Sequence, residues 1–304
     1  MANIIELFGK QVPMKDNICN SSGQFEEGKF MRYNLYISIT DVCLASCPFC
    51  NNNTKKQTTR SEKEFDIEKL RVVLRELKRK KLLNRVSITG GEPLLDVDLL
   101  NSVINAVFEE CGEWQYVTIN TNGFNLHQIF KLDKLDKLAG IHISRHHYLD
   151  EKNDEIFGFK TAHLEDIKEV MNKLEDKKLL RLNTLLIKGL IDNKEEICKY
   201  LDMAAGQDIF RVGFVGIMPL NDFSKEHFIE YKELFKDFSE RGVTVKEFHN
   251  LDICDCINGI YMTEEGKLVE FYARNVRNLC PSTVGQLSYT YDNKLCAGFG
   301  NVIF

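Results

Sequence analysis

The segment YNLYISITDVCLASCPFC spans residues 33–50 and joins a strand pattern directly to a group of cysteines. Residues 33–39 alternate and are rich in β-forming side chains, which predicts a strand. Three cysteines follow at Cys43, Cys47 and Cys50, in the spacing C-x3-C-x2-C. In parallel α/β folds the site lies at the carboxyl ends of the strands. This loop is therefore the first place to look for chemistry.

Strand and helix patterns alternate after this segment. Repeated βα units predict a parallel sheet with helices outside it. Six or seven such units favour the α/β class and a partial (β/α)6 TIM-type barrel. Further strands are predicted at 85–89, 116–120, 140–144, 180–187, 209–215 and 243–248. Helices are predicted at 61–80, 96–110, 126–135, 162–177, 193–204 and 225–240.

The pattern changes after residue 248. Residues 259–271 and 286–296 each read as a β-hairpin, and cysteines precede both. We therefore expect a small β-rich, cysteine-bearing tail on the barrel. The predicted organisation is an N-terminal extension (1–32), a barrel (33–248) and a tail domain (249–304).

The composition is that of an ordinary globular chain. Of 304 residues, 43% are hydrophobic and 28% are charged, which is enough apolar material for a core. No apolar run is long enough to predict a membrane span, and the N-terminus lacks the basic start of a secretory signal. The net charge of −5 argues against a nucleic-acid-binding surface. We expect a cytoplasmic protein whose ten cysteines are reduced, which favours metal ligands over disulfides.

Three thiolates in one loop favour a soft metal or an iron–sulfur cluster. A [4Fe–4S] cluster has four irons, so three cysteines leave one iron open to another ligand. A structural zinc ion that borrows a distant fourth ligand is the alternative.

Two polar turns follow the next strands. Residues 90–93 read Gly-Gly-Glu-Pro, and paired glycines let a backbone approach a ligand closely. Residues 120–123 read Asn-Thr-Asn-Gly. The alternatives are a tight βα connection for the first turn and a helix cap for the second.

Together these motifs resemble the radical S-adenosylmethionine (SAM) superfamily. The resemblance rests on Cys43, Cys47 and Cys50, with Phe49 before the last cysteine and Gly-Gly-Glu-Pro one strand later. It implies that the three cysteines hold a [4Fe–4S] cluster whose fourth iron binds the amino and carboxylate groups of SAM. An electron from the cluster then cleaves SAM, and the 5′-deoxyadenosyl radical takes a hydrogen atom from the substrate.

The same resemblance implies a set of SAM-binding residues. The Gly-Gly-Glu turn would bind the amino group, polar groups on later strands would bind the ribose and carboxylate, and two residues would flank adenine. The set is Gly90, Gly91, Glu92, Asn122, Ser144, Asn183, Phe49 and Met218.

Arg145, His146 and His147 follow the predicted strand 140–144 and are the candidate catalytic residues. Arg145 could neutralise the SAM carboxylate or form a structural salt bridge. The two histidines would face the mouth of the barrel, where a role in substrate binding or proton transfer is possible. A structural role is the alternative for each, and the resemblance transfers no role to them.

The tail contributes the second cysteine group: Cys254, Cys256, Cys280 and Cys296. It resembles the auxiliary-cluster twitch hairpin of the molybdenum-cofactor cyclases and of SPASM enzymes. It has four cysteines where SPASM domains carry about seven, and it ends Asn-Val-Ile-Phe where the cyclases end Gly-Gly. This implies one auxiliary [4Fe–4S] cluster and argues against cyclase activity. A four-thiolate zinc knuckle is the alternative.

The sequence thus predicts a radical SAM enzyme acting on a small molecule or a peptide. A flavodoxin- or ferredoxin-type protein would supply the electron. Two alternatives remain open: a maturase of ribosomal peptides within the same superfamily, and a non-catalytic zinc-binding interaction protein.

Overall fold

The computed structural model describes residues 3–14, 33–50, 64–230, 234–235, 243–248, 257–274, 286–298 and 301–304. The strands are β1 (Asn3–Leu7), β2 (Lys10–Met14), β3 (Tyr33–Ser38), β4 (Leu83–Thr89), β5 (Tyr116–Thr121), β6 (Gly140–Ser144), β7 (Leu180–Leu186), β8 (Arg211–Gly216), β9 (Val243–Phe248), β10 (Ile257–Met262), β11 (Leu268–Arg274), β12 (Gln286–Tyr289), β13 (Leu295–Ala297) and β14 (Asn301–Val302). The helices are α1 (Ile67–Arg79), α2 (Val97–Cys111), α3 (Asp150–Phe157), α4 (Leu164–Lys173), α5 (Lys194–Gly206) and α6 (Asp222–Glu226).

One large sheet organises the protein. Its order is β14-β13-β12-β3-β4-β5-β6-β7-β8-β11-β10-β9. Strands β3 to β8 are consecutive parallel neighbours, and helices connect most of them. The predicted α/β class with a parallel sheet of βα units is confirmed.

The two faces of the sheet differ in chemistry. In β3, Leu35 and Ile37 are fully buried, whereas Tyr36 between them and Ser38 after them are half-buried. β7 alternates in the same way. The apolar face packs into one core with buried residues of the helices, and burying one such side chain contributes about 1.5–3 kcal/mol. The opposite face is polar and remains partly accessible.

The tail strands extend this sheet at both edges. Both predicted hairpins are confirmed, since β10 pairs with β11 and β12 with β13, each antiparallel. In addition, β11 lies parallel to β8, with Tyr272 opposite Gly213, and β12 lies parallel to β3. β9 pairs antiparallel with β10, so it does not continue the parallel series as the sequence pattern predicted.

Several helix boundaries differ from prediction. α1 begins at Ile67 because the Asp66 side chain accepts the N–H of Lys69, so Glu64 lies outside the helix; residues 61–63 lie outside the described part. The predicted helix 126–135 is replaced by 3-10 turns at Leu126–Lys131 and Leu135–Lys137. Between them the N–H of Asp133 bonds to the Asn101 side chain, so it does not continue a helix. The other differences are that α3 was not predicted and that α4 is shorter than 162–177. Of the predicted helix 225–240, α6 covers the first two residues, residues 234–235 are helical, and 231–233 and 236–240 lie outside the described part.

Within the predicted N-terminal extension, β1 and β2 form an antiparallel hairpin. Phe8, at its turn, stacks on Phe304 with ring centroids 4.1 Å apart. The hairpin is therefore packed against the residue two positions after β14. Among the described residues, no helix has the length and apolar character that crossing a membrane requires.

Candidate functional site

The cysteine loop is joined to the Gly-Gly turn by backbone hydrogen bonds. The N–H of Ile39 donates to the carbonyl of Thr89, which continues the pairing of β3 with β4. Beyond it, the N–H of Gly91 donates to Thr40 O (2.6 Å) and the N–H of Glu92 to Val42 O (2.8 Å). The loop after β3 and the turn after β4 thus form one ordered unit.

Both glycines of the turn are required by this close approach. A Cβ on Gly91 would overlap the Val42 carbonyl, and a Cβ on Gly90 would lie 2.7 Å from Thr40 O. Gly90 also has a φ of 152°, which side-chain-bearing residues rarely adopt. The glycines therefore allow the turn to pack against the cysteine loop.

The three thiols of the loop lie close enough to affect one another. Cys43 is buried, with 8% of its surface exposed, while Cys47 and Cys50 are half-buried. Burial raises the pKa of Cys43, and nearby Glu92 and Cys50 act in the same direction. Burial, with smaller contributions from Cys50 and Cys43, raises the pKa of Cys47 to about 12. Burial therefore favours the neutral thiol at Cys43 and Cys47.

This donor set fits an iron–sulfur cluster. Three soft ligands share one loop, and a bound cation would offset the cost of ionising them in a buried position. In the described part of the chain, no three His, Cys, Asp or Glu side chains converge on one metal ion. A [4Fe–4S] cluster instead takes each cysteine on a different iron, so its ligands lie further apart.

Glu92 connects the Gly-Gly turn to the end of β5 through hydrogen bonds. Its carboxylate is 1% exposed and accepts from the Thr121 hydroxyl (2.7 Å), the N–H of Asn122 (2.7 Å) and the N–H of Leu94 (2.9 Å). Burial raises the pKa of Glu92 to about 7, although these three donors lower it. Both carboxylate oxygens are occupied by protein donors, and Asn122 is brought beside Cys43.

Ser144 and Asn183 are opposite each other in β6 and β7. Asn183 Oδ1 accepts a hydrogen bond of 3.3 Å from the hydroxyl of Tyr272 in β11. The Tyr272 ring also lies 3.4 Å from the guanidinium carbon of Arg181. Gly213 makes room for this arrangement, since a Cβ there would overlap both Asn183 Oδ1 and the Tyr272 ring.

Sequence reasoning missed Tyr272. The alternation of β11 predicts which of its residues share a face. Nothing in the segment indicates that β11 pairs with β8, which is what brings Tyr272 to Asn183.

Arg145 lies just beyond β6 and is 1% exposed. Its Nη2 is 2.8 Å from Asp150 Oδ1 and donates to the carbonyl of Tyr148. Its Nε and Nη1 have no hydrogen-bond partner in the described part of the chain. The ion pair with Asp150 is the structural salt bridge that was the alternative role for Arg145. Two of its nitrogens can still donate to another group.

His146 and His147 are also buried. The His146 Nδ1 accepts the N–H of Leu185 (3.2 Å), and His147 Nδ1 accepts the N–H of Leu149 (3.0 Å). Burial lowers the pKa of His146 to about 3 and lowers that of His147 as well. Both rings are therefore neutral near pH 7. Asn153, which was not predicted, accepts the N–H of both histidines and fixes this segment.

Phe49 connects the cysteine loop to His146. Its ring meets the His146 ring edge-on, with centroids 4.9 Å apart, and His146 stacks on Phe157.

A cavity of about 360 Å³ opens beside the cysteine loop. Met218 follows β8 and is not among the residues that line this cavity. The cavity lining includes Ser46, Pro48, Phe49, Ile187, Phe223 and His227.

The second cysteine group is described only at Cys296. This residue is buried in β13, opposite Ser288. Cys254, Cys256 and Cys280 lie outside the described residues. The predicted four-thiolate site therefore stays a prediction.

Comparison with known proteins identifies a family and several relatives. The profile of the "Radical SAM superfamily" matches residues 37–204. A "GTP 3',8-cyclase" of Listeria monocytogenes serovar 1/2a is 29% identical over 72% of this chain and 66% of its own length. "Molybdenum cofactor biosynthesis protein 1" of Dictyostelium discoideum is 28% identical over 72% of this chain, but the match spans 35% of that protein.

Solved structures share the fold at low sequence identity. SuiB of Streptococcus suis bound to S-adenosylmethionine aligns with a TM-score of 0.53 and 20% identity, over 69% of this chain and 46% of SuiB. A radical SAM methyltransferase from Sphaerobacter thermophilus aligns with a TM-score of 0.54 and 13% identity, over 84% and 69%. Such neighbours have a partial TIM-barrel fold, which is the fold class predicted from the sequence.

Proposed function

The chain belongs to the radical SAM superfamily and is an enzyme, and from this premise we propose that Cys43, Cys47 and Cys50 hold its [4Fe–4S] cluster. The observation that carries the proposal is the loop that holds all three thiols, joined by backbone hydrogen bonds to a turn that only glycine fits. When bound, the cluster supplies the electron that cleaves SAM to methionine and a 5′-deoxyadenosyl radical, which abstracts hydrogen from the substrate.

We propose that SAM lies across the carboxyl ends of β4 to β8. Gly90 and Gly91 would hold its amino group, while Ser144 and Asn183 would bind polar groups of the ribose and carboxylate. Phe49 and Met218 would flank adenine beside the cavity. Glu92 and Asn122 belong to the proposed set, and their contacts favour an indirect role.

Arg145, His146 and His147 stay predicted as catalytic residues. Two Arg145 nitrogens that have no hydrogen-bond partner among the described residues support a contact with an anion such as the SAM carboxylate. The neutral ring of His146, which contacts Phe49, favours positioning of the cysteine loop over proton transfer. His147 is held by the N–H of Leu149, which favours a structural role for it.

We propose a polar substrate, a small molecule or a short peptide, on the accessible face of the sheet. This face carries half-buried hydrogen-bonding groups, among them Tyr36, Asn120, His142 and Tyr272. Asn120 Nδ2 donates to Ser87 Oγ (2.7 Å), so part of this surface is already ordered for polar recognition.

A nucleotide is the second candidate substrate. Several relatives bear the name GTP 3',8-cyclase, at 26–29% identity. A maturase acting on a precursor peptide remains a candidate within the superfamily. Incubation with SAM, reductant and each substrate class, followed by mass spectrometry for substrate-dependent 5′-deoxyadenosine, separates these possibilities.

For the tail we propose a twitch-like auxiliary [4Fe–4S] cluster on Cys254, Cys256, Cys280 and Cys296. A cluster with four thiolates has no open iron, so it would serve electron transfer or structure. A flavodoxin- or ferredoxin-type protein would be the electron donor.

Metal analysis of anaerobically purified protein tests the proposal. Two clusters predict about eight irons per chain with matching acid-labile sulfide. Zinc alone, without sulfide, would support the non-catalytic zinc protein instead.

A further inference from the structure

The side chain of Asn122 lies between the cysteine loop and the turn that follows β5. Its Nδ2 is 3.6 Å from Cys43 Sγ, and its Oδ1 accepts the N–H of Phe124 at 2.8 Å. Because a backbone N–H can only donate, the amide oxygen must face Phe124 and the amide NH2 must face the sulfur. Asn122 is therefore a hydrogen-bond donor to Cys43.

A closed ring of hydrogen bonds fixes this donor relative to the sulfur. The N–H of Asn122 donates to Glu92 Oε2 (2.7 Å), and the N–H of Glu92 donates to Val42 O (2.8 Å), next to Cys43. Asn122 is 8% exposed and Glu92 is 1% exposed. Glu92 thus positions Asn122, and neither side chain can move freely away from the loop.

Cys43 is the ligand on which such a donor has the most effect. Its sulfur also accepts the N–H of Ala45 at 3.4 Å, and it is the buried member of the three thiols. Electrostatic interactions are stronger in a buried, low-dielectric position than at the surface. Hydrogen bonds to the ligating sulfurs are among the factors that set the potential of an iron–sulfur cluster.

We infer that Asn122 raises the reduction potential of the SAM-binding cluster through its N–H···S bond to Cys43; this rests on the proposed function, since it requires a cluster on Cys43. In the one-electron reduction the external donor is oxidised and the cluster gains one negative charge, which its thiolates share. A hydrogen-bond donor stabilises this more negative state. Asn122 thus tunes the cluster through its contact with Cys43, which is the indirect role proposed for it in the SAM site.

Two substitutions remove the donor while keeping the turn. In Asn122→Asp a carboxylate oxygen can still accept the N–H of Phe124, and in Asn122→Ser the hydroxyl can do so. Neither presents an amide NH2 to Cys43, and Asp adds a negative charge. Asn105→Ser on the surface of α2, where Asn105 bonds to Asp133, is the matched control.

The experiment is a redox titration of each anaerobically reconstituted protein with dithionite, followed by electron paramagnetic resonance. The SAM-binding cluster is identified as the signal that changes when SAM is added. We expect a more negative midpoint in Asn122→Ser and a still more negative one in Asn122→Asp. A shift of about 59 mV would mean a tenfold change in the equilibrium of this one-electron couple. The control should keep the wild-type midpoint.

Wild-type midpoints in both Asn122 variants, or shifts to more positive values, would overturn the inference. Loss of the SAM-sensitive cluster from both variants would also overturn it, because three thiolates should hold the cluster without Asn122. If the wild type itself holds no SAM-sensitive cluster, the proposed function is wrong and the inference on Asn122 cannot apply. The iron content of the wild type shows which of the two has failed.

Discussion

Two backbone hydrogen bonds, from Gly91 to Thr40 and from Glu92 to Val42, hold the cysteine loop in place. They leave no space for a side chain on Gly91, whose Cβ would overlap the Val42 carbonyl. The geometry of the three thiols therefore depends on a residue that contributes no side chain of its own.

Gly91→Ala should separate the Gly-Gly turn from the cysteine loop. Each buried hydrogen bond that is lost should cost about 1–3 kcal/mol, and both SAM affinity and iron content should fall. Gly206→Ala is the control, because a Cβ there meets nothing within 4 Å. Equilibrium dialysis with SAM and iron analysis measure the effect. Equal SAM affinity in both variants would contradict this account of the turn.

His146 should make the protein less stable in acid. Its folded pKa is about 3, below the value of about 6.5 in an unfolded chain. The unfolded state therefore binds more protons below pH 6.5. The stability from this group is complete above that pH and falls by about 1 kcal/mol between pH 6.5 and 5.5.

His146→Asn isolates this effect, since the Asn oxygen can still accept the N–H of Leu185. We expect the unfolding temperature of the variant to depend less on pH between 7.5 and 5.5 than that of the wild type. His147 contributes a slope of the same sign in both proteins, because burial also lowers its pKa. Identical pH dependence would show that His146 is not buried in its neutral form.

At the residue scale, sequence reasoning succeeds where the signal is local. The spacing of Cys43, Cys47 and Cys50 predicts that they share one loop, and the structure places them in one; their role as cluster ligands stays a prediction. The histidine segment shows the opposite case. Its backbone is held by hydrogen bonds to Asn153 in α3, a helix that the pattern did not predict.

At the scale of secondary structure, the contact between β8 and β11 couples the tail to the site. Tyr272 lies in the space above Gly213 and donates to Asn183. The tail strand thus helps to order a proposed SAM-binding residue of the barrel.

Gly213→Ala should displace Tyr272 and Asn183. Overpacking at such a site costs about 1–3 kcal/mol, so the unfolding temperature should fall. In a Tyr272→Ala background the same substitution should cost less, because one of the two overlaps is gone. A double-mutant cycle on unfolding free energies measures this coupling. Strictly additive costs would mean that the tyrosine ring does not occupy this space.

The tail cysteines should bind iron independently of the loop. Cys280→Ala should lower the iron content from about eight to about four per chain and leave the SAM-sensitive cluster intact. Uncoupled SAM cleavage should persist while product formation falls. Cys111→Ala in α2, where Cys111 is packed in the core, is the control. Full iron content and full turnover in Cys280→Ala would exclude the auxiliary cluster.

The sequence predicts the bounds of the strands better than it predicts which strands pair with each other. The pattern predicts 140–144 as a strand, and β6 has these bounds. It also predicts both tail hairpins, because turn residues and alternation are local signals. The parallel pairing of β11 with β8 and of β12 with β3 joins segments far apart in sequence, and no local pattern encodes it.

At the scale of the whole molecule, the two faces of the sheet have different roles: one forms the core and the other carries the candidate site. One face is apolar and packs into the core, and the other face is polar and partly accessible. The turns at the carboxyl ends of β3, β4 and β5 carry the cysteines, the glycines and Asn122. The fold thereby brings together in one site residues from three turns that are separate in the sequence.

The central claim is that this site cleaves SAM reductively. The most direct measurement is the formation of 5′-deoxyadenosine from SAM and dithionite, by anaerobically reconstituted wild type and by the triple variant Cys43→Ala, Cys47→Ala, Cys50→Ala. We predict formation by the wild type and none above background by the variant, whose remaining thiols cannot hold a cluster with an open iron. Equal formation by both proteins, or none by an iron-loaded wild type, would contradict the account.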